Sequence, residues 1–246
     1  MDSGYYAACS ALVTRMRALD TIANNLANVN TVGFRAEHNE FSSVMASQSA
    51  DADNPLNQAI NDFGVFGGVT VDQTQGSLQK TGNPLDLAIQ GGGYFAVQTS
   101  NGVMYTRNGS FSVSGKGQLE TSNGDLVLGE GGNPITMVPG KIAISANGTI
   151  STNGAVTGKL KIVEFPEGTQ ITSVGNTYYS APQGKDQEAA NSDVRQGMLE
   201  NSNVNPITGM VELVMAQRSA ESMQRALAMF NTEMDKIASQ DIAKVS

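Results

Sequence analysis

Leu213, Ala216, Ala220, Met223, Leu227, Phe230, Met234 and Ile237 follow one another at alternating steps of three and four residues. Side chains so spaced return to one helix face every 3.5 residues, which is the a/d seam of a coiled coil. Asn205-Pro206 opens the segment. Asn is a good N-cap, and Pro suits the first helical position because no hydrogen bond is lost there. A helix from 206 to about 243 would run for about 57 Å. The other end of the chain repeats the pattern. Tyr5, Cys9, Leu12, Met16, Leu19, Ala23 and Leu26 keep the same alternation and predict a helix over 3–29, about 40 Å long. It gives way at Asn28-Val29-Asn30-Thr31-Val32-Gly33, where Asn and β-branched residues disfavour helix and Gly permits positive φ.

Between the helices the texture changes. Asn-Gly occurs at 101–102, 108–109, 123–124, 147–148 and 153–154, and this dipeptide is the strongest short hairpin signal because a type I′ turn needs positive φ at both central residues. Candidate strands flank the pairs at 85–90, 94–99, 103–107, 110–114, 118–121, 126–128, 141–145, 149–152 and 159–165. The fold class expected is therefore a mainly β, antiparallel, irregular and hairpin-rich central domain, flanked by long N- and C-terminal α-helices that pair as a coiled coil. Four segments follow: an N-terminal helix over 1–34, an extended arm over 35–69, a β-rich domain over 70–199 and a C-terminal helix over 200–246. The arm is acidic. From Ala36 to Gln79 there are six acids (Glu37, Glu40, Asp51, Asp53, Asp62 and Asp72) and no Lys or Arg, so it is expected as a solvated connector with little regular structure. A loop of that length is uncommon inside a compact domain, which suggests that it packs on something else.

Composition excludes several functions. Formal net charge is −8 and no run of Lys and Arg exists, so neither nucleic acid nor an anionic membrane surface is an expected partner. No apolar run approaches the roughly 20 residues that span a bilayer. The start Met1-Asp2-Ser3-Gly4 lacks a basic region, and Arg15 and Arg17 interrupt the first apolar stretch, which argues against a cleavable signal peptide. Aromatic residues are 6% of the chain and Trp is absent, so no large aromatic core is expected. Cys9 and His38 are the sole residues of their types, which removes intrachain disulfides, His/Cys metal clusters and most triads. Each Gly-Lys pair lacks the rest of a P-loop. Gly91-Gly92-Gly93 lies between two strand-like runs and reads as a tight β connection. No cofactor, metal or small-molecule substrate is implied, and the chain is not expected to be an enzyme.

The seams are narrower than the apolar face of a helix lying on a globular core. The longer helix would also outreach a body of this size, whose radius of gyration should be about 14 Å. A projecting apolar seam needs a partner: the other terminal helix, and neighbouring subunits. Head-to-tail contacts that do not close build an open helical polymer.

The residues at this point resemble a known family. Thr21-Ile22-Ala23-Asn24-Asn25-Leu26-Ala27-Asn28-Val29-Asn30-Thr31-Val32-Gly33-Phe34-Arg35 is similar to the N-terminal signature of bacterial flagellar rod and hook proteins. Thr81-Gly82-Asn83-Pro84-Leu85-Asp86-Leu87-Ala88-Ile89, Gly93-Tyr94-Phe95-Ala96-Val97 and Tyr105-Thr106-Arg107-Asn108-Gly109-Ser110-Phe111 resemble the start of their β domain. Gly197-Met198-Leu199-Glu200-Asn201-Ser202-Asn203-Val204-Asn205 and Ala216-Gln217-Arg218 resemble their C-terminal pattern. Cys9 and the Gly91–Gly93 run depart from the common family pattern. Length and the opening Met1–Tyr6 resemble a proximal rod subunit, with a distal rod subunit as runner-up.

The resemblance implies helices that pair and line the inner tube of the rod, an arm that lies against neighbours, and an outer β domain. It implies export, unfolded, through the flagellar type III apparatus and assembly in the periplasmic space with copies of the chain and other rod subunits. The work done would be torque transmission. Asn24, Asn25, Leu26, Ala27, Asn28, Thr31, Gly33, Phe34, Ser202, Asn203, Val204, Asn205, Gln217 and Arg218 would carry assembly. Gly33 would serve a turn and Phe34 would anchor the arm. Cys9, Leu12, Met16, Leu19, Leu26, Leu213, Met223, Leu227, Phe230, Met234 and Ile237 would form the seams.

Overall fold

The computed structural model describes residues 2–42, 65–166, 168–182, 184–189 and 191–245, with side chains over 9–40, 68–229 and at 232 within those spans. Helix α1 runs over Asp2–Ala27 and helix α2 over Pro206–Val245. The chain divides into two compact units. One comprises Met1–Leu26, His38–Val69 and Pro206–Ser246; the other comprises Ala27–Glu37 and Thr70–Asn205.

In the first unit the two helices pack together. A side chain on Gly209 of α2 would stand 3.7 Å from Leu26 Cδ1 of α1, so the smallest residue sits at the close approach. Further along α2, Ala220 and Leu227 are buried while their neighbours on other faces are exposed. The predicted loop-like arm carries regular structure at both ends: Glu37–Ser42 and Val65–Val71 are strands that pair as a two-stranded sheet. Glu37-His38-Asn39-Glu40 carries no apolar alternation to signal a strand, yet strand pairing satisfies backbone whatever the side chains are. The rest of the arm, with Asp51, Asp53 and Asp62, lies outside the described residues.

The second unit is built around the strand Tyr94–Thr99. Tyr94, Phe95, Ala96 and Val97 are all buried, which is the mark of a strand covered on both faces. It pairs antiparallel with Gly102–Thr106 on one side. On the other it pairs with Leu126–Val127 and, at its start, with Ile162–Glu164. The main sheet continues outward through Tyr178–Ser180 and Thr172–Gly175 at one edge, and through Leu119–Thr121 and Phe111–Val113 at the other. Because side chains alternate along a strand, Phe95 and Val97 enter one hydrophobic cluster with Leu119, Val127, Ile150 and Leu160. Tyr94 and Ala96 enter another with Tyr105, Phe165, Ile171 and Tyr179. The second cluster is small but aromatic. Ring centroids lie 4.9–5.7 Å apart among Tyr94, Tyr105, Phe165 and Tyr179. Tertiary structure thus gathers scarce aromatics that are scattered in sequence.

Three shorter sheets complete the unit. Ile142–Ile144, Thr149–Thr152 and Ala155–Lys159 form a meander. Leu87–Gln90 pairs with Asp193–Gln196, and Leu78–Lys80 with Met198–Glu200. The single strand predicted over 159–165 is two strands, Ala155–Lys159 and Ile162–Glu164. The chain changes sheets at Leu160, which is buried and bridges to Gly129. The Asn-Gly pairs also differ from expectation. Asn153-Gly154 has positive φ at both residues, 53° and 85°, as a type I′ turn requires. At 101–102, 123–124 and 147–148 only the Gly is positive. Gly109 is no hairpin residue: its missing side chain lets the backbone press against the Leu87 carbonyl. Gly91–Gly93 joins two strands that pair with different partners, so it is a passage between sheets.

Phe95 is fully buried and its ring meets Phe111 edge-on at 5.1 Å. Phe95→Ala should destabilise the body by about 3–5 kcal/mol, read as a lower urea midpoint with an unchanged slope.

Candidate functional site

The turn Thr31-Val32-Gly33 leaves α1 and brings the chain against residues 200–203. Thr31 N–H donates to the Asn28 carbonyl at 3.0 Å, and Phe34 N–H to the Thr31 carbonyl at 3.3 Å. Gly33 has φ +70°, and an added Cβ would fall on the backbone of Arg107 and Asn108. Its N–H donates to the Glu200 carbonyl at 2.8 Å. Phe34 and Ala36 are buried. Asn203 holds the segment from the C-terminal side. Its Oδ1 accepts from Ala36 N–H at 2.7 Å, and its Nδ2 donates to the Thr74 carbonyl at 3.0 Å.

Three charged side chains lie beneath this crossing: Arg35, Arg107 and Glu200, each 1% exposed. Glu200 Oε2 accepts from Arg107 Nη1 at 3.2 Å, and Oε1 from Gly76 N–H at 2.9 Å. Arg35 Nη2 is 2.7 Å from Oε1 but out of line for a hydrogen bond, so charge holds that pair. Arg107 has further partners. It donates to the Ile89 carbonyl at 3.3 Å and the Gly91 carbonyl at 2.6 Å, and it stacks 4.8 Å from the Tyr94 ring centroid. Burial lowers the Arg107 pKa and the like charge of Arg35 lowers it further, while Glu200 opposes both. Tyr179 closes the site: its hydroxyl accepts from Arg35 N–H at 3.0 Å and donates to the Gly33 carbonyl at 3.4 Å. Burial pushes the Tyr179 phenol well above the usual range and raises that of Tyr94. Two guanidiniums against one carboxylate leave this buried site with an excess positive charge.

The second feature is helix α2, which carries two apolar faces. Leu213, Ala216 and Met223 are half-buried and Ala220 and Leu227 buried. Ile207, Met210, Val211, Val214, Met215 and Met229 are 48–74% exposed. At about 100° per residue the two groups centre on opposite sides of the helix. A single 3.5-residue stripe does not include the outer group, whereas a second stripe at 207, 210, 211, 214 and 215 is legible in the same sequence. On α1, Cys9, Leu12, Leu19, Ala23 and Leu26 are half-buried and Met16 is half exposed. A groove of about 330 Å³ runs between the helices, lined by Met16, Leu19, Asp20, Gln217, Ala220 and Glu221 among others. The side chains of Phe230, Met234 and Ile237 lie outside the described residues.

The remaining predicted residues are dispersed. Asn24, Ala27, Asn205, Gln217 and Arg218 are exposed, while Asn25, Leu26, Asn28, Ser202 and Val204 are half-buried. Thr31 Oγ1 donates to Asn28 Oδ1 at 3.1 Å, and Ser202 Oγ accepts from Val204 N–H at 3.2 Å. The motif reading did not single out Arg35, Arg107 and Glu200 as interacting, because nothing local pairs positions so far apart. A cleft of about 590 Å³ on the body is lined by Glu130, Lys159, Lys161, Asp186 and Glu188 among others. Lys159 is paired with Glu130 and Glu188 and Lys161 with Asp186, at 3.1–3.3 Å, so both lysines are ion-paired and carboxylates remain in excess. Among the described residues, no group of three or more His, Cys, Asp or Glu could hold a metal ion. No described helix is long and apolar enough to cross a membrane.

Gly33→Val should lower the stability of the second unit by at least about 2 kcal/mol, from left-handed strain plus the clash with Arg107 and Asn108 backbone; urea unfolding checks this. The buried tyrosines set a pH dependence. Their folded pKa values are raised above the unfolded value of about 10. The stability they contribute is therefore full below about pH 10 and lost as pH rises toward the folded values. The urea midpoint should fall above about pH 10, and phenolate absorbance should rise with the unfolding transition. Phenolate forming at ordinary pKa in the folded protein would contradict it.

Comparison with known proteins assigns the chain. Residues 6–35 match the family described as flagella basal body rod protein. Residues 88–158 match the flagellar hook protein FlgE/F/G D1 domain, and residues 195–240 the flagellar basal body rod FlgEFG protein C-terminal family. The flagellar basal-body rod protein FlgF of Mesorhizobium japonicum is 36% identical over 226 residues, covering 90% of each chain. The FlgF protein of Caulobacter vibrioides is 34% identical over 252 residues and covers both chains completely. The flagellar basal-body rod protein FlgG of Borreliella burgdorferi is 31% identical, covering 92% of this chain and 94% of its own. With a hairpin-rich β body between two paired terminal helices, the chain belongs to the flagellar basal-body rod protein family, the FlgE/F/G group, and is a structural subunit.

Proposed function

We propose that the chain polymerises through its terminal helices into the helical tube of the flagellar rod, which transmits torque and passes exported subunits. The outward face of α2 carries this reading. Ile207, Met210, Val211, Val214, Met215 and Met229 are exposed on the face opposite the buried seam, and a row of large exposed apolar side chains on a long helix is satisfied by a neighbour. Its occupants are copies of the chain and other rod subunits. Residues 1–34 and 200–246 form the shaft, 35–69 the arm against neighbours and 70–199 the outer body. Asn24, Asn25, Asn28, Gln217 and Arg218 contribute polar contacts between subunits, around the apolar row. The subunit reaches the periplasmic space through the flagellar type III export apparatus.

The length and the opening Met1–Tyr6 favour the proximal rod, and the distal rod is the alternative. An epitope label located by electron microscopy on purified basal bodies separates them. Label near the inner-membrane end fits the proximal rod, and label near the hook moves the subunit to the distal rod. Absence from basal bodies, with the protein free in periplasm or medium, would favour a secreted β-rich binding protein instead. The paired variant Val211→Asp, Met215→Asp should keep its folded body, because both positions are exposed, yet fail to enter the rod and leave cells non-motile. Normal incorporation of that variant would remove the outward face from the interface.

A further inference from the structure

The buried charges at the junction are unequal in how firmly each is held. Arg107 is retained by the Ile89 and Gly91 carbonyls and the Tyr94 ring as well as by Glu200. Arg35 is different. Its guanidinium meets Glu200 Oε1 at 2.7 Å, and its Nε and Nη1 have no hydrogen-bond partner among the described residues. A buried cation is strongly disfavoured unless an anion faces it, and here it must also sit near the like charge of Arg107. Arg35 can therefore be buried only where Glu200 is already in place. Glu200 reaches that place as the last residue of the strand Met198–Glu200, paired with Leu78–Lys80. Its own carbonyl accepts from Gly33 N–H, and Asn203 accepts from Ala36 N–H.

We propose that Glu200 keys the docking of the N-terminal signature, so that residues 33–36 and 200–203 close on the body as one cooperative event. The N-terminal segment would not hold its place wherever the strand that ends the β body is unpaired. In a chain delivered unfolded, neither helix root would be fixed before the other. The inference concerns docking within one subunit and stands whether or not the subunit polymerises.

Amide hydrogen exchange of the full chain, read residue by residue, tests it. In the native protein Gly33, Ala36 and Asn201 should share one protection level and one dependence on denaturant; separate openings would overturn the proposal. Glu200→Gln keeps the shape and removes the charge. It should lower protection at Gly33 and Ala36 about a hundredfold, while Ala96 and Leu128 in the main sheet keep theirs. Adding Arg35→Met to Glu200→Gln removes the cation that has no other partner, while Arg107 keeps the Ile89 and Gly91 carbonyls and the Tyr94 ring, and should restore most of that protection. Unchanged protection at Gly33 and Ala36 in Glu200→Gln, or no recovery in the double variant, would overturn it. Should Glu200→Gln fail to fold, the double variant decides: a folded, docked double variant supports the key, and an unfolded one refutes it.

Discussion

Burying Glu200 between two arginines ties together three places far apart in the chain: the turn after α1, the end of the Gly102–Thr106 strand, and the strand that precedes α2. A carboxylate removed from water needs opposite charge and hydrogen bonds around it. Meeting that need with Arg35, Arg107 and Gly76 N–H obliges the backbone of all these segments to converge. Gly33 then has to be glycine, because its backbone passes directly over Arg107 and Asn108. Asn203 and Tyr179 have to supply hydrogen bonds to the same crossing. The roots of the terminal helices are thus specified by a buried electrostatic contact, whereas the helices themselves are specified by repetitive apolar spacing.

The remainder of the second unit packs against that junction. Tyr94–Thr99 is covered on both faces, so its alternate side chains feed two cores at once. Tyr94 belongs to the aromatic core and also offers its ring to Arg107, which links hydrophobic packing directly to the charged site. Tyr179 makes the same link through its hydroxyl. The aromatic core is the smaller of the two. The charged cleft near Lys159 is internally paired.

Helix α2 divides its duties by face. The inward face is made of small and medium residues, Gly209, Ala216 and Ala220 with Leu213 and Leu227, which allow close approach of a second helix. The outward face is large and flexible, with three methionines among its six exposed apolar residues. Methionine adapts its shape to irregular contacts.

The sequence by itself determined the helices and most of the central strands. Those depend on local periodicity, and local periodicity survives in any environment the segment meets. The family signature was legible for the same reason, since its motifs are contiguous. What only the tertiary structure decided was where the chain changes direction and which distant residues meet. Of five identical Asn-Gly pairs, the one at 153–154 adopts the turn with both φ values positive, and Gly109 serves close packing instead. The predicted strand over 159–165 breaks at Leu160 because two sheets claim its halves. The acidic start of the arm forms a strand because a partner strand satisfies its backbone. Arg35, Arg107 and Glu200 are separated by 93 residues or more from Glu200's side. Their pairing is set by long-range burial, and no spacing rule along one sequence encodes which charges share a low-dielectric interior.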